Sequence, residues 1–303
     1  MIEWGVRCSS AAQVAAWLGA KSWRLASGRG ILARIQGRLD QLLGSLVGPP
    51  CFRRVYFGNE FCQERLPALP ELREVVARCR EGGLGLTLLT PPVTDAGLER
   101  LGPVLARLEE LLPTSEVVFN DWGVMELLFA RHRGLCPVMG RNLLGVVKDP
   151  RVPLPPAGDD RYPAQPTLRG TALALPAFRE ALRARGVGRV EVDLFLPRCD
   201  LDFRSTGLEA TLVLPFSSVA SGRVCLIGSL HQPPERKFTL QAGCGQECGS
   251  YLCELESACL AARLFHRGNT AFALQPPEAL AALPRVLEEG GYSRVAYDPE
   301  MGF

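Results

Sequence analysis

Lysine and histidine are scarce in this chain of 303 residues, and both scarcities narrow the possible functions. Only three of its 34 basic residues are lysines, and the formal net charge is +2. This near balance gives no electrostatic argument for binding nucleic acid or a membrane surface. The three histidines, His132, His231 and His266, form no His-Glu-x-x-His motif, which excludes the common zinc-protease arrangement.

Long apolar runs are also missing, so we expect no membrane span. The first residues lack the charged start, apolar run and small-residue cleavage site of a signal peptide, and we expect a cytoplasmic protein. No phosphate-binding P-loop and no Gly-x-Ser-x-Gly elbow occurs, which argues against nucleotide hydrolysis and serine hydrolase chemistry. Hydrophobic residues make up 47% of the chain, enough for a substantial core.

Cysteine, by contrast, is abundant, with 11 residues. A reducing cytosol disfavours a disulfide framework, and an odd number cannot pair completely. Metal ligation and simple burial remain as explanations. Cys51 fits either of them. Five cysteines lie on or beside expected helices and strands, and we interpret them as small buried side chains: Cys8, Cys79, Cys136, Cys199 and Cys259.

Four other cysteines suggest a metal centre. Cys62 follows an apolar run, Cys225 stands far downstream, and Cys244 and Cys248 form a C-x₃-C pair among glycines. Glycines let the backbone fold tightly around an inorganic group and direct amide N–H groups at its sulfurs. Four thiolates are the usual ligands of an iron–sulfur cluster or a structural zinc ion. The spacing alone leaves metal binding and burial both open, because C-x₃-C is a weak motif.

Segments with strand and helix patterns alternate along the whole chain. Strands separated by helices of ten or more residues predict right-handed crossovers and a mainly parallel sheet. The number of units favours a (β/α)₈-type TIM-like barrel, regular or incomplete, formed as a single domain by residues 1–303. Residues 148–169 are rich in proline and predict a surface loop. Residues 222–253 form an irregular, cysteine-rich segment that we assign to metal binding.

Polar residues follow two of the expected strands. Asn120 and Asp121 come after one, and Arg141 and Asn142 after the next. In a barrel they would face the C-terminal mouth, where sites are built, so they are candidates for lining a pocket. Arginine at such a place could grip a substrate carboxylate with two hydrogen bonds. The alternative is turn and helix-capping chemistry, which asparagine and aspartate favour.

Three passages resemble a known family. Val-Tyr-Phe-Gly-Asn-Glu-Phe-Cys at residues 55–62, the stretch 208–225 ending in Ser-Gly-Arg-Val-Cys, and Cys-Gly-Gln-Glu-Cys at 244–248 carry the resemblance. They are similar to the collagenase-like peptidase family U-thirty-two, within it the iron–sulfur branch typified by the UbiV and UbiU proteins. The resemblance implies that Cys62, Cys225, Cys244 and Cys248 bind one [4Fe–4S] cluster.

The same resemblance implies a function. Members of this branch work in oxygen-independent hydroxylation, with a quinone precursor of ubiquinone biosynthesis or an RNA base as substrate. A related subunit would be the partner, in a heterodimer. The long interval between Cys225 and Cys244 contains His231, and Cys253 follows the pair, so either could replace one of the four ligands.

Two alternatives belong to other classes of protein. The same four cysteines could hold a zinc ion in a scaffold or binding subunit without a redox role. The family name also suggests a peptidase, although the sequence offers no pair of nucleophile and base for that reaction.

Overall fold

A computed structural model describes residues 2–23, 30–148, 170–194, 202–239, 244–256 and 263–303. Most of the predicted loop 148–169 lies outside these ranges, as do Cys199 and Cys259. The strands are β1 (Glu3–Cys8), β2 (Arg54–Gly58), β3 (Gly85–Leu89), β4 (Glu116–Phe119), β5 (Cys136–Met139), β6 (Arg189–Asp193), β7 (Glu209–Leu214), β8 (Phe216–Ser221), β9 (Cys253–Leu255), β10 (Leu264–Arg267), β11 (Thr270–Leu274) and β12 (Arg294–Tyr297).

Helices connect most neighbouring barrel strands. The sequence predicts that the first helix starts at Ser10 and that Thr94 or Asp95 caps the helix ending at Leu112. The Ser10 hydroxyl caps the first helix, and the Thr94 hydroxyl accepts from the Gly97 N–H at the start of the fourth. In the described ranges the helices are α1 (Ala11–Leu18), α2 (Gly30–Val47), α3 (Leu69–Glu81), α4 (Asp95–Leu111), α5 (Trp122–Arg131), α6 (Pro176–Ala184), α7 (Leu226–Ser229), α8 (Pro277–Ala281) and α9 (Leu283–Gly290).

Eight parallel strands close into a barrel in the order β1-β12-β7-β6-β5-β4-β3-β2. The predicted fold class is therefore confirmed: this is a (β/α)₈-type barrel. Its strands are almost wholly buried because helices cover the outside and side chains fill the inside. Closure puts the carboxyl ends of all eight strands around one mouth. No helix in the described ranges is both long and apolar enough to cross a bilayer.

A second sheet is inserted between the last two barrel strands of the chain. Its order is β8-β11-β10-β9, and all its pairings are antiparallel. The sequence predicts β11 but not this sheet. The sequence also predicts a helix over 255–265, which is wrong at both ends: Leu255 belongs to β9, and Leu264 and Phe265 belong to β10. Residues 257–262 lie outside the described ranges. Strands of three to six residues leave little local pattern to detect, and β8 pairs with β11 from a distant part of the chain.

The inside of the barrel is polar at both ends and apolar between them. At the N-terminal end, Arg54 and Arg294 pair with Glu3 and Glu116. At the C-terminal end, seven charged residues form a buried floor network: Arg7, Glu60, Arg141, Lys148, Glu191, Asp193 and Asp298. Between them lies a cluster of six packed residues: Tyr56, Leu89, Val118, Val138, Val213 and Ala296.

Candidate sulfur centre and mouth cavity

The four cysteines singled out by the sequence lie together at the C-terminal mouth. Cys62, Cys225 and Cys244 line one cavity. Cys248 lies at the same place, because Nη1 of Arg65, three residues after Cys62, is 3.9 Å from Cys248 Sγ. Besides burial, the charges of the other three cysteines raise the pKa of Cys62. The four residues come from segments up to 186 residues apart in the chain. We call these four residues the sulfur centre.

Cys62 is placed by the loop that follows β2. The Asn59 side chain accepts hydrogen bonds from the backbone N–H groups of Phe61 and Cys62, at 2.9 and 2.7 Å. The Phe61 ring packs edge-on against Phe272 of β11, with 5.1 Å between the ring centroids. The loop thus joins the barrel to the second sheet, and this junction brings Cys62 near the other three cysteines.

The remaining cysteines lie in short turns. Cys225 caps α7, and its Sγ accepts from the Gly228 N–H at 3.2 Å. Gln246 has a left-handed φ of 58°, and its N–H donates to Cys244 Sγ at 3.4 Å. Cys248 lies in the 3-10 turn Glu247–Gly249 and is 5% exposed. Backbone donors aimed at sulfur stabilise a thiolate, so these turns suit ligand cysteines.

Burial acts against the charged form of three thiols, those of Cys62, Cys225 and Cys244. Burial raises the pKa of Cys62 to about 11, and the neighbouring thiols add to the rise. Burial likewise raises the pKa of Cys225 and of Cys244, while the backbone N–H donors oppose it. Without a cation between them these thiols are neutral at pH 7, and binding a metal would release their protons.

The donor set fits a thiolate-bound group in chemistry. Within the described ranges, no group of three or more His, Cys, Asp or Glu side chains is arranged to hold a metal ion. The four thiols therefore converge without forming a compact ion site. Four cysteine sulfurs, of which those of Cys225 and Cys244 accept backbone hydrogen bonds, are nevertheless the donors that a [4Fe–4S] cluster takes.

The two candidate substitute ligands occupy different places. His231 is exposed, and its Nδ1 lies 3.4 Å from Glu247 Oε1, beside the turn that carries Cys248. Cys253 lies on β9, opposite His266 of β10.

A cavity of about 1140 Å³ opens at the mouth beside the sulfur centre. Cys62, Cys225 and Cys244 line it, together with Asn142 and Lys148. This volume accommodates a small organic molecule. We call it the mouth cavity; it is where the barrel, the second sheet and the sulfur centre meet.

Lys148, the first residue of the predicted loop 148–169, places a positively charged side chain at the wall of the mouth cavity. Its Nζ donates to Asp193 Oδ2 at 3.0 Å, to Ser218 Oγ at 3.1 Å and to the Arg141 carbonyl at 3.2 Å. Burial lowers the pKa of Lys148, and the Asp193 carboxylate opposes that shift. The ammonium is thus held in a fixed position between the floor network and the cavity.

Arg141 lies beneath the cavity instead of lining it. The side chain is fully buried, and its guanidinium pairs with Glu60, Asp193 and Asp298. Its Nη1 also donates to the Phe216 carbonyl at 2.9 Å, and the Phe61 ring covers it at 5.4 Å. Because other groups of the protein occupy its donors, the guanidinium stabilises the floor network and is not available to bind a ligand.

The other three pocket candidates divide between lining and capping. Asn120 and Asn142 line the cavity, and Asn142 Oδ1 accepts from Ser218 Oγ at 3.2 Å. Asp121 caps α5, where Oδ1 accepts from the Gly123 N–H at 2.7 Å. Asn120 Nδ2 donates to the Thr90 carbonyl at 3.0 Å, so Asn120 also fastens two barrel loops together.

Several residues of this site escape the sequence reasoning. Glu60, Asp193 and Asp298 all stand at or just after the carboxyl end of a strand, which is the signal that could have found them. Lys148 and Ser218 carry no such signal. Lys148 falls at the start of a proline-rich stretch, and Ser218 belongs to a strand of the inserted sheet.

No protein-family model and no curated protein matches this chain in sequence. Among solved structures, a U-thirty-two peptidase is similar at 10% identity and a TM-score of 0.44, over 98% of this chain and 92% of that one. The C-terminal domain of a putative chitinase from Desulfitobacterium hafniense is similar at 8% identity and a TM-score of 0.42, over 98% of this chain and 92% of that one. A xylose isomerase domain containing protein from Salmonella typhimurium is similar at 11% identity and a TM-score of 0.39, over 99% of this chain and 89% of that one. Likeness of this degree carries no argument about the reaction.

Proposed function

We propose that this protein binds a [4Fe–4S] cluster through Cys62, Cys225, Cys244 and Cys248. One observation carries the proposal: four thiols from distant segments converge at the edge of a large cavity at the functional end of a barrel. Thiolates gathered in one place repel one another, so they gain most from a cation or cluster placed among them. A bound cluster would supply one-electron chemistry next to the mouth cavity.

The residues around the centre have separable tasks. The cysteines give up their protons and act as ligands. The N–H groups of Gly228 and Gln246 hold two of the sulfurs in place. The mouth cavity receives an organic ligand, and Lys148 and Asn142 form part of the wall that this ligand contacts. The floor network beneath keeps Lys148 fixed.

The finer function follows from the motif resemblance. We propose oxygen-independent hydroxylation of a quinone precursor or an RNA base, with a related subunit as partner and in the cytoplasm. The cavity volume supports a small molecule or a single extruded base as the ligand, because both fit within it.

Metal analysis tests the proposal directly. Protein purified without oxygen is expected to contain iron and acid-labile sulfide in equal amounts and to give an EPR signal on reduction. Cys225→Ser is expected to lose most of this iron, since one of the four ligands is gone. Cys136→Ser is the matched control, because Cys136 lies at the start of β5, at the opposite end of the barrel. It is exposed, so its interpretation from the sequence as a buried side chain is wrong.

Other outcomes would assign the site differently. Zinc without sulfide, lost in Cys225→Ser, would make the centre a structural zinc site. Wild-type protein without any metal, after strictly anaerobic handling, would contradict the proposal. Equal iron content in the Cys225 and Cys136 variants would show that the iron lies elsewhere.

A further inference from the structure

The four sulfurs of the centre do not have equivalent neighbours. Cys62, Cys225 and Cys244 each accept a hydrogen bond from a backbone N–H group, those of Glu64, Gly228 and Gln246. Cys248 instead faces a charged side chain: Arg65 Nη1 lies 3.9 Å from its Sγ. A backbone amide carries a partial charge, whereas a guanidinium carries a full one that it keeps at every physiological pH.

A second guanidinium stands at the same corner. Arg267 Nε donates to the Cys248 carbonyl at 2.8 Å, and its Nη1 donates to the Glu300 carbonyl at 2.7 Å. Arg267 is 7% exposed, so its hydrogen bonds hold the turn Glu247–Gly249, which contains Cys248, from the buried side. Arg65 is half-buried and reaches the sulfur from the turn that follows Cys62. One cysteine thus lies between two cations while the other three lie among amides.

We infer that Arg65 is a positioning residue whose charge stabilises the anionic sulfur centre, and does so more strongly in its reduced form; this inference rests on the proposed cluster. Four thiolates make such a centre negative overall, and each added electron makes it more negative. A fixed positive charge beside one ligand sulfur therefore favours the reduced state. Charge and hydrogen bonds at the sulfurs are among the means by which a protein sets the potential of a cluster.

The chain offers matched variants for a test. Arg65→Gln removes the charge and keeps a polar side chain, whereas Arg65→Lys keeps the charge. Arg100→Gln is the control: Arg100 binds the Gln63 carbonyl at 3.0 Å and the Glu64 carboxylate at 3.3 Å, so it lies near Cys62 but pairs with a carboxylate instead of a sulfur. Each protein is purified without oxygen, analysed for iron and sulfide, and titrated with dithionite as one-electron reductant while EPR reports the reduced centre.

The expected result is a midpoint potential that shifts to more negative values in Arg65→Gln, stays near wild type in Arg65→Lys, and shifts less in Arg100→Gln. If Arg65→Gln fails to retain iron while the other two variants retain it, the charge is needed to hold the centre, which also supports the inference. An Arg65→Gln potential equal to that of Arg100→Gln, at full iron content, overturns it and leaves the proposed cluster intact. Wild-type protein without iron and sulfide overturns both.

Discussion

The two ends of the barrel both carry buried charges, but the balance between acid and base differs. At the N-terminal end, Glu3 and Glu116 meet Arg54, Arg189 and Arg294. At the C-terminal end, five carboxyl groups meet four cations: Glu60, Glu191, Asp193, Asp298 and Glu300 against Arg7, Arg141, Lys148 and Arg267. Glu209, at the exposed rim of the N-terminal end, also pairs with Arg189, so acids and bases are balanced there. Acids exceed bases only at the C-terminal end, and the two ends therefore respond differently to pH.

The pKa shifts show this difference. Burial raises the pKa of Glu116, but Arg294 and Arg54 outweigh it and the net shift is downward. At the other end, burial raises the pKa of Glu191 and Asp298 more than their arginine partners lower it. Burial also raises the pKa of Glu300 to about 7. The N-terminal end is thus a set of ion pairs, whereas at the end beside the cavity Glu300 holds a proton near neutral pH. Glu60 at that end is the exception: burial raises its pKa, but Arg141 and Arg7 outweigh burial and the net shift is downward.

This contrast matches the division of tasks in barrels of this type, where one end stabilises the fold and the other carries the chemistry. The lesson is that buried charge alone does not mark a site. The N-terminal ion pairs are as well formed as the floor network, with 2.6 Å between Arg294 Nη1 and Glu116 Oε2. What separates the ends is the surplus of carboxyl groups together with an adjoining cavity.

The largest expected effect is on stability, at the centre of the floor network. Arg141→Met leaves Glu60, Asp193 and Asp298 without their shared partner in a fully buried place, and we expect a loss of about 3–5 kcal/mol in the free energy of unfolding. Arg54→Met at the N-terminal end is the control, and since Arg54 is partly exposed we expect about 1–3 kcal/mol. Urea denaturation measures both; equal losses would remove the distinction between the ends.

A second prediction concerns pH. The folded protein keeps Glu300 protonated up to about pH 7, whereas the unfolded chain ionises it near its ordinary value of 4.5. The contribution of Glu300 to stability is therefore complete below that ordinary value and is lost as the pH rises through about 7. We expect wild type to lose about 2–3 kcal/mol relative to Glu300→Gln between about pH 4 and about pH 8.

Glu116→Gln is the matched variant for the opposite end. Because the folded pKa of Glu116 is lowered, its contribution is present above its ordinary pKa and is lost as the pH falls below it. The difference between wild type and Glu116→Gln should therefore diminish in acid and stay constant above about pH 6. A Glu300→Gln difference with the same sign as that of Glu116→Gln would contradict the contrast.

The smallest expected effect belongs to the rim of the N-terminal end. Glu209 pairs with Arg189, but its side chain is 61% exposed. Solvent screens such a pair, so Glu209→Gln should change the free energy of unfolding by at most about 1 kcal/mol. Thermal unfolding at two salt concentrations measures it. A loss as large as that of Arg54→Met would mean that the N-terminal ion pairs act as one unit that includes its exposed members.

The sequence predicts those structural features that depend on residues close to one another in the chain. The barrel strands show as apolar runs between helices with capping residues, and the positions of β1 to β7 and β12 follow from that pattern. Ser10 and Thr94 cap their helices as predicted, because a cap depends on residues three positions away. The sequence does not predict the inserted sheet, because β8 pairs with β11 across about 50 residues and no pattern within β8 identifies that distant partner.

The site divides in the same way. Residue type, the glycines around Cys244 and Cys248 and the motif resemblance single out four cysteines, and the structure places them near one another. Their role as ligands stays a prediction. The roles of Arg141 and Lys148 were not visible, because each depends on carboxylates contributed by strands far away in the chain.

The sequence by itself determined that strands and helices alternate, where most of them begin and end, and which thiols could act together, since periodicity and residue chemistry are local properties. Only the tertiary structure decided that β8 to β11 form a separate antiparallel sheet, that Arg141 lies under the cavity and not in it, and that Arg65 faces Cys248. The physical reason is that barrel closure brings together residues that lie far apart in the sequence, and the interactions between their charges depend on distance in space.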